Sequence, residues 1–404
     1  MNLYLSTDQG RIMLYSFDIT HTPRLIFGAC RFKELPSQIA QYGKKAVIII
    51  GNKSFKESTH YNPFIKELKK RRIDYKIISV KNEPSPEIID KTVKELRPFN
   101  PQVVAAIGGG SVIDTGKAVS AMMTKRGSII HYIEGFGEKK HDGLKLPFIA
   151  VPTTAGTGSE ATMNAVITRT EENGFKRSLR HEQLTPNIAL VDPALQVTCP
   201  REITASCGMG TIAQLLESLF STNGNPFSSS LAKTGLENAS RSLTRICNKD
   251  SKNLRFRAMM SYASYLSGLT LAHAGLGTVH GLTSAIGSTF DIPHGVICGR
   301  LVGPVMEKTI EFLITDPKRN YAKLKKFAWA GAVLSKSPKH NLEKDCYSLI
   351  NILKTLADQL DIPKLGEYGM SYSDLKTIAE KSDNKYNPIQ FSESEMISIM
   401  KMAL

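Results

Sequence analysis

Apolar and polar positions follow different rhythms in the two halves of the chain. In the first half, short β-branched runs alternate with helical stretches. "KKAVIIIG" (44–51) is a continuous apolar run closed by glycine, as in a parallel strand covered on both faces. "DYKIISV" (74–80) and "PQVVAAIGGGS" (101–111) repeat the pattern. Between them, "SPEIIDKTVKELRPF" (85–99) carries apolar residues at 88, 89, 93 and 96. That is helical spacing, with Ser85 as N-cap and Pro86 in the first turn. "LPFIAVPTTAGTGSE" (146–160) and "NIALVDPAL" (187–195) add two strands, the first running into a polar turn. This β-α-β repetition predicts a doubly wound parallel sheet. From about Thr204 the periods are helical, through "TIAQLLESLF", "SSLAKTGLENASRSLTRI", "LRFRAMMSYASYLSGLTLAHAGLGTVHGLTSAIG", "YSLINILKTLADQL" and "SESEMISIMKMAL". The expected architecture is an α/β domain over 1–198, its sheet of the kind that can carry a ligand at the strand ends, and an all-α domain over 199–404.

Length and composition fit this division. A chain of 404 residues exceeds one compact core. Its 41% apolar and 22% charged residues are ordinary for a soluble globular protein. No apolar run reaches the roughly eighteen residues of a membrane span. The opening "MNLYLSTDQGRIMLYSFD" has acidic residues where a signal peptide is apolar, so a cytoplasmic location is expected. The net charge of +15 is spread along the chain. "KELKKRR" (66–72) lies on a helical pattern and reads as a solvated face, not a nucleic-acid stripe. A basic surface still favours an anionic coenzyme or substrate by long-range steering. The six cysteines, at 30, 199, 207, 247, 298 and 346, form no C-x-x-C pair and read as buried thiols.

Two glycine-rich turns carry the chemistry. In "AIGGGSVIDTGKAVS" three glycines end a strand and open a helix, whose free N–H groups and positive dipole end suit a diphosphate. The spacing is neither G-x-G-x-x-G nor a P-loop. "VPTTAGTGSE" (151–160) sets four hydroxyl side chains around two glycines at another strand end. Two such turns on one sheet suggest a shared crevice. Further along, "GLGTVHGLTSAIGSTFDIPHG" holds His280 and His294.

Together, "GGGSVIDTGK", "PTTAGTGSE", "LVDPAL" and "GLGTVHG…PHG" closely resemble the iron-containing alcohol dehydrogenase family. Its scaffold is shared with dehydroquinate synthase and glycerol dehydrogenase. The resemblance runs from "PRLIFGACRFKELP" (23–36), like the family's opening strand and turn, to "NPIQFSESEMISIMKMAL" (387–404), like its final helix. It implies that Gly109, Gly110 and Ser111 hold the pyrophosphate of NAD or NADP, with Asp114 beside them towards the nicotinamide. It implies that Thr153, Thr154, Thr157 and Ser159 line the same coenzyme and that Lys176 contacts its ribose. Where many NAD-preferring members carry an aspartate, this chain has Asn52 followed by Lys53. Repulsion of a 2′-phosphate is thereby removed, and NADP is expected to be tolerated. Homodimers or larger homo-oligomers are usual in the family, with "PRLIFGACRF" a candidate intersubunit strand.

Metal-using members hold their divalent ion with an aspartate and a histidine four residues apart on one helix, then two later histidines. The later pair matches His280 and His294, but the earlier positions are Gly210 and Gln214, and a further family histidine near the substrate falls on Ser284. Two neutral imidazoles supply no negative charge to an iron or zinc ion. The departure argues against a standard iron site. His280 and His294 are left as catalytic hydrogen-bond donors or as ligands, with His273 and Asp291 as candidate replacements. The leading expectation is an NAD(P)-dependent oxidoreductase interconverting a small alcohol and its aldehyde or ketone. The alternatives are a metal-independent reductase of an unsaturated keto acid, like the maleylacetate reductases, and a dinucleotide-binding protein without turnover. A lyase like dehydroquinate synthase fits the fold, but "PTTAGTGSE" points away from it.

Overall fold

The computed structural model describes residues 3–7, 10–14, 16–169, 174–337 and 341–404. A short antiparallel hairpin, β1 (Leu3–Thr7) and β2 (Gly10–Leu14), precedes the main body. The α/β part follows as β3 (Arg24–Phe27), α1 (Leu35–Ala40), β4 (Lys45–Gly51), α2 (Tyr61–Lys70), β5 (Asp74–Val80), α3 (Pro86–Leu96), β6 (Val103–Gly108), α4 (Gly110–Met122) and β7 (Phe148–Pro152). A hairpin of β8 (Asn164–Arg169) and β9 (Phe175–Arg180) comes next, then β10 (Ile188–Val191). Six strands form one parallel sheet in the order β3-β10-β7-β6-β4-β5. Alternate residues face opposite cores. Val47, Ile49, Val104 and Ala106 pack on one side among α3 and α4 residues. Ala46, Ile48, Ile50, Ala105 and Ile107 pack on the other with α1 and α2. Burial of both faces is why these strands read as unbroken apolar runs.

The expected strands are present, and Ser85 caps α3 by accepting the Ile88 N–H. The β8–β9 hairpin was not expected. "PRLIFGACRF" contributes the edge strand of the chain's own sheet, pairing in parallel with β10.

The remainder is helical: α5 (Arg201–Phe220), α6 (Pro226–Ile246), α7 (Leu254–Ala274), α8 (Thr278–Ile286), α9 (His294–Ile314), α10 (Tyr321–Ser335), α11 (Leu342–Gln359), α12 (Leu375–Lys381) and α13 (Glu393–Lys401). From Gly208 to Phe220, α5 is buried on every side, packed among α6, α7 and α9. One expectation needs correction. The long apolar run 254–287 is two helices, not one. Gly275 takes φ +69, which stops α7, and α8 begins afresh at Thr278. His273 and His280 therefore do not share a helical face. Among the described residues no helix is long and apolar enough to cross a membrane.

Candidate active site

The two glycine-rich turns meet at the ends of β6 and β7. Thr153 N–H donates to the Gly108 carbonyl at 2.9 Å. A Cβ on Gly109 would lie 3.4 Å from Thr154 Oγ1, and one on Gly110 only 2.8 Å from Thr157 Oγ1. Gly110 is thus required by the second loop's approach. Gly109, Gly110, Ser111, Thr153, Thr154 and Thr157 are all partly exposed. Gly109 caps α4 without a side chain, so first-turn N–H groups face outward. Asn52 is exposed at the end of β4 in the same sheet.

Asp114 and Ser159 lie one layer beneath. The Ser159 hydroxyl donates to Asp114 Oδ1, and Val166 N–H donates to Oδ2 at 3.0 Å. Burial, opposed by Lys117 and these donors, raises the Asp114 pKa. Their side chains hold the second loop to α4. Lys117, fully buried, completes the latch. Its ammonium donates to the carbonyls of Ser159, Thr162 and Asn164 at 2.9, 3.0 and 2.6 Å, and to Thr162 Oγ1 at 2.9 Å. Burial pushes Lys117 down to about 8, although Asp114 and Glu160 pull upwards. Lys176 is likewise engaged, pairing with Glu83 at 2.7 Å beyond the end of β5 and packing beside Gly287 at the end of α8.

The helical part grips the second loop from the other side. Gly158, at φ +62, meets α7 backbone to backbone: a Cβ there would lie 2.5 Å from Gly268 N. Thr211 Oγ1 donates to the Gly156 carbonyl at 2.9 Å, and Gln214 Nε2 to the Thr157 carbonyl at 3.1 Å and Ser267 Oγ at 3.2 Å. The loop is the seam between the two halves.

On the helical side, His280 on α8 and His294 at the start of α9 come together, ring centroids 5.3 Å apart. Two residues that the sequence reading missed complete the group. Glu217 on α5 accepts from Val279 N–H at 2.6 Å and meets His280 Nδ1 at 2.5 Å. Cys298, one turn along α9 from His294, places its sulfur 3.6 Å from Nε2 of each histidine. Burial alone would keep His280 neutral, but Cys298 and Glu217 outweigh it and push the imidazole up to about 10. Burial also opposes the Cys298 thiolate, but the two histidines hold the thiol well below its ordinary range.

The family's usual ligand set does not fit here. Gly210 faces the start of α9, where a Cβ would meet Gly295 Cα at 3.6 Å, but it offers no donor atom. The Gln214 amide nitrogen is engaged by Thr157 and Ser267. Ser284 back-bonds to the His280 carbonyl at 2.8 Å. Of the replacements considered, His273 packs its ring on Phe227 and Asp291 is exposed. Neither joins the cluster of ligand atoms formed by His280, His294 and Cys298. All six cysteines are free: Cys247, Cys298 and Cys346 are buried as expected, Cys199 and Cys207 are half-buried, and Cys30 is exposed, which corrects the reading there; Cys298 also sits among metal-ligand-type side chains.

A six-stranded parallel sheet whose two glycine-rich turns meet at one end, joined to a helical half that brings His280 and His294 together, makes a two-part scaffold with the elements of a dinucleotide-binding enzyme. Comparison with known proteins makes the class specific. Residues 22–193 match the model of the iron-containing alcohol dehydrogenases, and residues 204–404 match that of the family's C-terminal part. The chain belongs to the iron-containing alcohol dehydrogenase family. It is 30% identical over 388 residues to alcohol dehydrogenase 4 of Saccharomyces cerevisiae, covering 94% of this chain and 97% of that one. It is 31% identical over 383 residues to the NADPH-dependent butanol dehydrogenase of Clostridium saccharobutylicum, covering 89% and 91%. The solved alcohol dehydrogenase from Oenococcus oeni superposes with a TM-score of 0.83 at 27% identity, over 96% of this chain and 100% of that one. The protein is an NAD(P)-dependent oxidoreductase of the alcohol dehydrogenase type, interconverting an alcohol and its aldehyde or ketone.

Proposed function

We propose that the coenzyme lies across the ends of β4, β6 and β7, with its diphosphate at the first turn of α4 and its nicotinamide directed to the His280–His294 pair. The meeting of the two glycine-rich turns carries this reading. Gly109, Gly110 and Ser111 offer backbone donors, and Thr153, Thr154 and Thr157 offer hydroxyls along one partly exposed wall. Asp114, Ser159 and Lys117 keep that wall in place from beneath. Lys176, paired with Glu83, borders the crevice where the sheet meets α8.

The bound coenzyme would supply or accept the hydride exchanged with the carbonyl carbon. The developing alkoxide needs hydrogen-bond donors, and the ring of His294, partly exposed beside buried His280, can offer one. Asn52 leaves a 2′-phosphate unopposed, and the related butanol dehydrogenase is NADPH-dependent, so both coenzymes are accepted.

Titration with NADH and NADPH, followed by turnover against a panel of small aldehydes, tests this reading. Binding of either coenzyme with consumption of at least one aldehyde is expected. His294→Gln should lower kcat by about 100-fold or more while coenzyme binding persists. Failure of both coenzymes to bind refutes the proposal, and binding without turnover of any carbonyl refutes its catalytic half.

A further inference from the structure

We propose that His280, His294 and Cys298 form a three-ligand site for a borderline-soft divalent cation, with zinc favoured over iron, in place of the family's carboxylate-and-histidine set. The inference rests on the substrate end of the cleft assigned above, but not on turnover.

Three observations carry it. The first is distance. A tetrahedral zinc with Zn–S of about 2.3 Å and Zn–N of about 2.05 Å holds sulfur and nitrogen about 3.6 Å apart. The Cys298 sulfur lies 3.6 Å from Nε2 of both histidines, and the ligand atoms of all three residues lie within 4.8 Å of one another. The sulfur, which also lies 3.5 Å from Thr283 Oγ1, stands between the two imidazole nitrogens, where one cation would meet all three ligand atoms at once.

The second is the supporting carboxylate. Glu217, buried at 2% exposure, faces His280 Nδ1 and is itself fixed by the Val279 N–H. With a proton held on Nδ1 by Glu217, Nε2 is the nitrogen that faces Cys298, and a bound cation would displace the proton there. Carboxylate–histidine–metal relays have this form.

The third is charge and softness. With Gly210 and Gln214 in the older ligand positions, α5 supplies no anionic ligand, its Glu217 standing behind His280. The Cys298 thiolate restores one negative charge from α9, one helical turn from His294. A thiolate with two imidazoles selects zinc over the harder, more weakly held Fe²⁺. Three protein ligands are also the number that catalytic zinc sites keep.

The test uses the full chain, stripped of metal with a chelator and titrated with Co²⁺ and then Zn²⁺. Binding of about one Co²⁺ per chain, with a near-ultraviolet thiolate-to-cobalt charge-transfer band that Zn²⁺ displaces, is expected. Cys298→Ser should abolish the band, while Cys346→Ser, a buried cysteine elsewhere, should keep it. Glu217→Gln should keep the band and weaken metal affinity roughly 10–100-fold. X-ray absorption of the wild-type zinc protein needs no variant, and should show one sulfur at about 2.3 Å. No bound metal, a band surviving Cys298→Ser, or a nitrogen-and-oxygen shell without sulfur overturns the proposal. Coenzyme binding is measured on the same samples. Coenzyme binding without the sulfur-ligated metal removes this inference alone, and the metal without coenzyme binding removes the functional reading alone.

Discussion

Lys117→Met tests whether a buried latch holds the coenzyme wall in place. Methionine keeps the length of the side chain and removes the ammonium. In the native protein that ammonium serves the carbonyls of Ser159, Thr162 and Asn164 and the Thr162 hydroxyl. After substitution the single Thr162 hydroxyl proton can serve only one of the Ser159 and Asn164 carbonyls, at 3.4 and 3.2 Å. The Thr162 carbonyl loses its Lys117 donor, and an unsatisfied buried carbonyl costs about 1–3 kcal/mol. Asp114, 3.9 Å from the ammonium, loses its counter-charge while remaining buried. Breaking one side of a buried charged network typically costs about 3–5 kcal/mol, and we expect a loss in that range. Because the same ammonium ties residues 159–164 to α4, the Thr153–Thr157 wall should loosen and coenzyme affinity should fall with stability. Urea unfolding gives the first quantity and NADPH fluorescence titration the second, both at pH 7. A variant with wild-type stability and wild-type coenzyme affinity would falsify the latch.

Three further outcomes follow from the same geometry. Gly110→Ala sets a methyl 2.8 Å from Thr157 Oγ1. It should cost about 1–3 kcal/mol in unfolding free energy and weaken coenzyme binding in calorimetry, and an unchanged Kd rejects the shared wall. Burial, the largest cause, pushes Glu160 up to about 7 from 4.5, so the folded state holds a proton that the unfolded chain releases across that interval. Its contribution to stability is therefore present near pH 4.5 and falls by about 3 kcal/mol as pH rises past 7. Glu160→Gln should match the wild type near pH 4.5 and exceed it at pH 8, and parallel stability-versus-pH curves contradict this. Asn52→Asp should raise the Kd for NADPH by about tenfold or more, through repulsion of the 2′-phosphate, and leave NADH binding intact. Equal effects on both coenzymes place residue 52 away from the ribose.

Much of the sheet was legible because its central strands are buried on both faces. Ala46–Ile50 and Val103–Gly108 have no polar side to confuse the pattern. The β8–β9 hairpin escaped for the opposite reason. "FKRSLR" alternates buried Phe175 and Leu179 with charged and half-exposed neighbours, a short run that also suits a loop. The break between α7 and α8 was hidden because the residues around Gly275 are small and apolar, so the helical period runs through them. What ended the helix was backbone conformation, φ +69 at Gly275, which hydrophobic period does not report.

The site divides along the same line. His280 and His294 stood out because glycine follows each of them. Cys298 is four residues after His294, a spacing that brings two side chains together only on a helix. That helix was hard to read, since "HGVICGRLVGP" spaces three glycines along its first turns and reaches Pro304. These residues are poor helix formers, and α9 forms because buried neighbours supply what propensity does not. Glu217 had a usable signal. It is a carboxylate in "TIAQLLESLF", a helix segment otherwise apolar enough to be buried all round. A buried glutamate needs a partner, and a helix N-terminus with a following histidine satisfies it. That inference required knowing that α8 begins beside α5. The identity of the ligand-type residues could thus be read from composition. Their assembly depends on where α5, α8 and α9 meet, and only the folded chain brings Cys298 of α9 beside the two histidines.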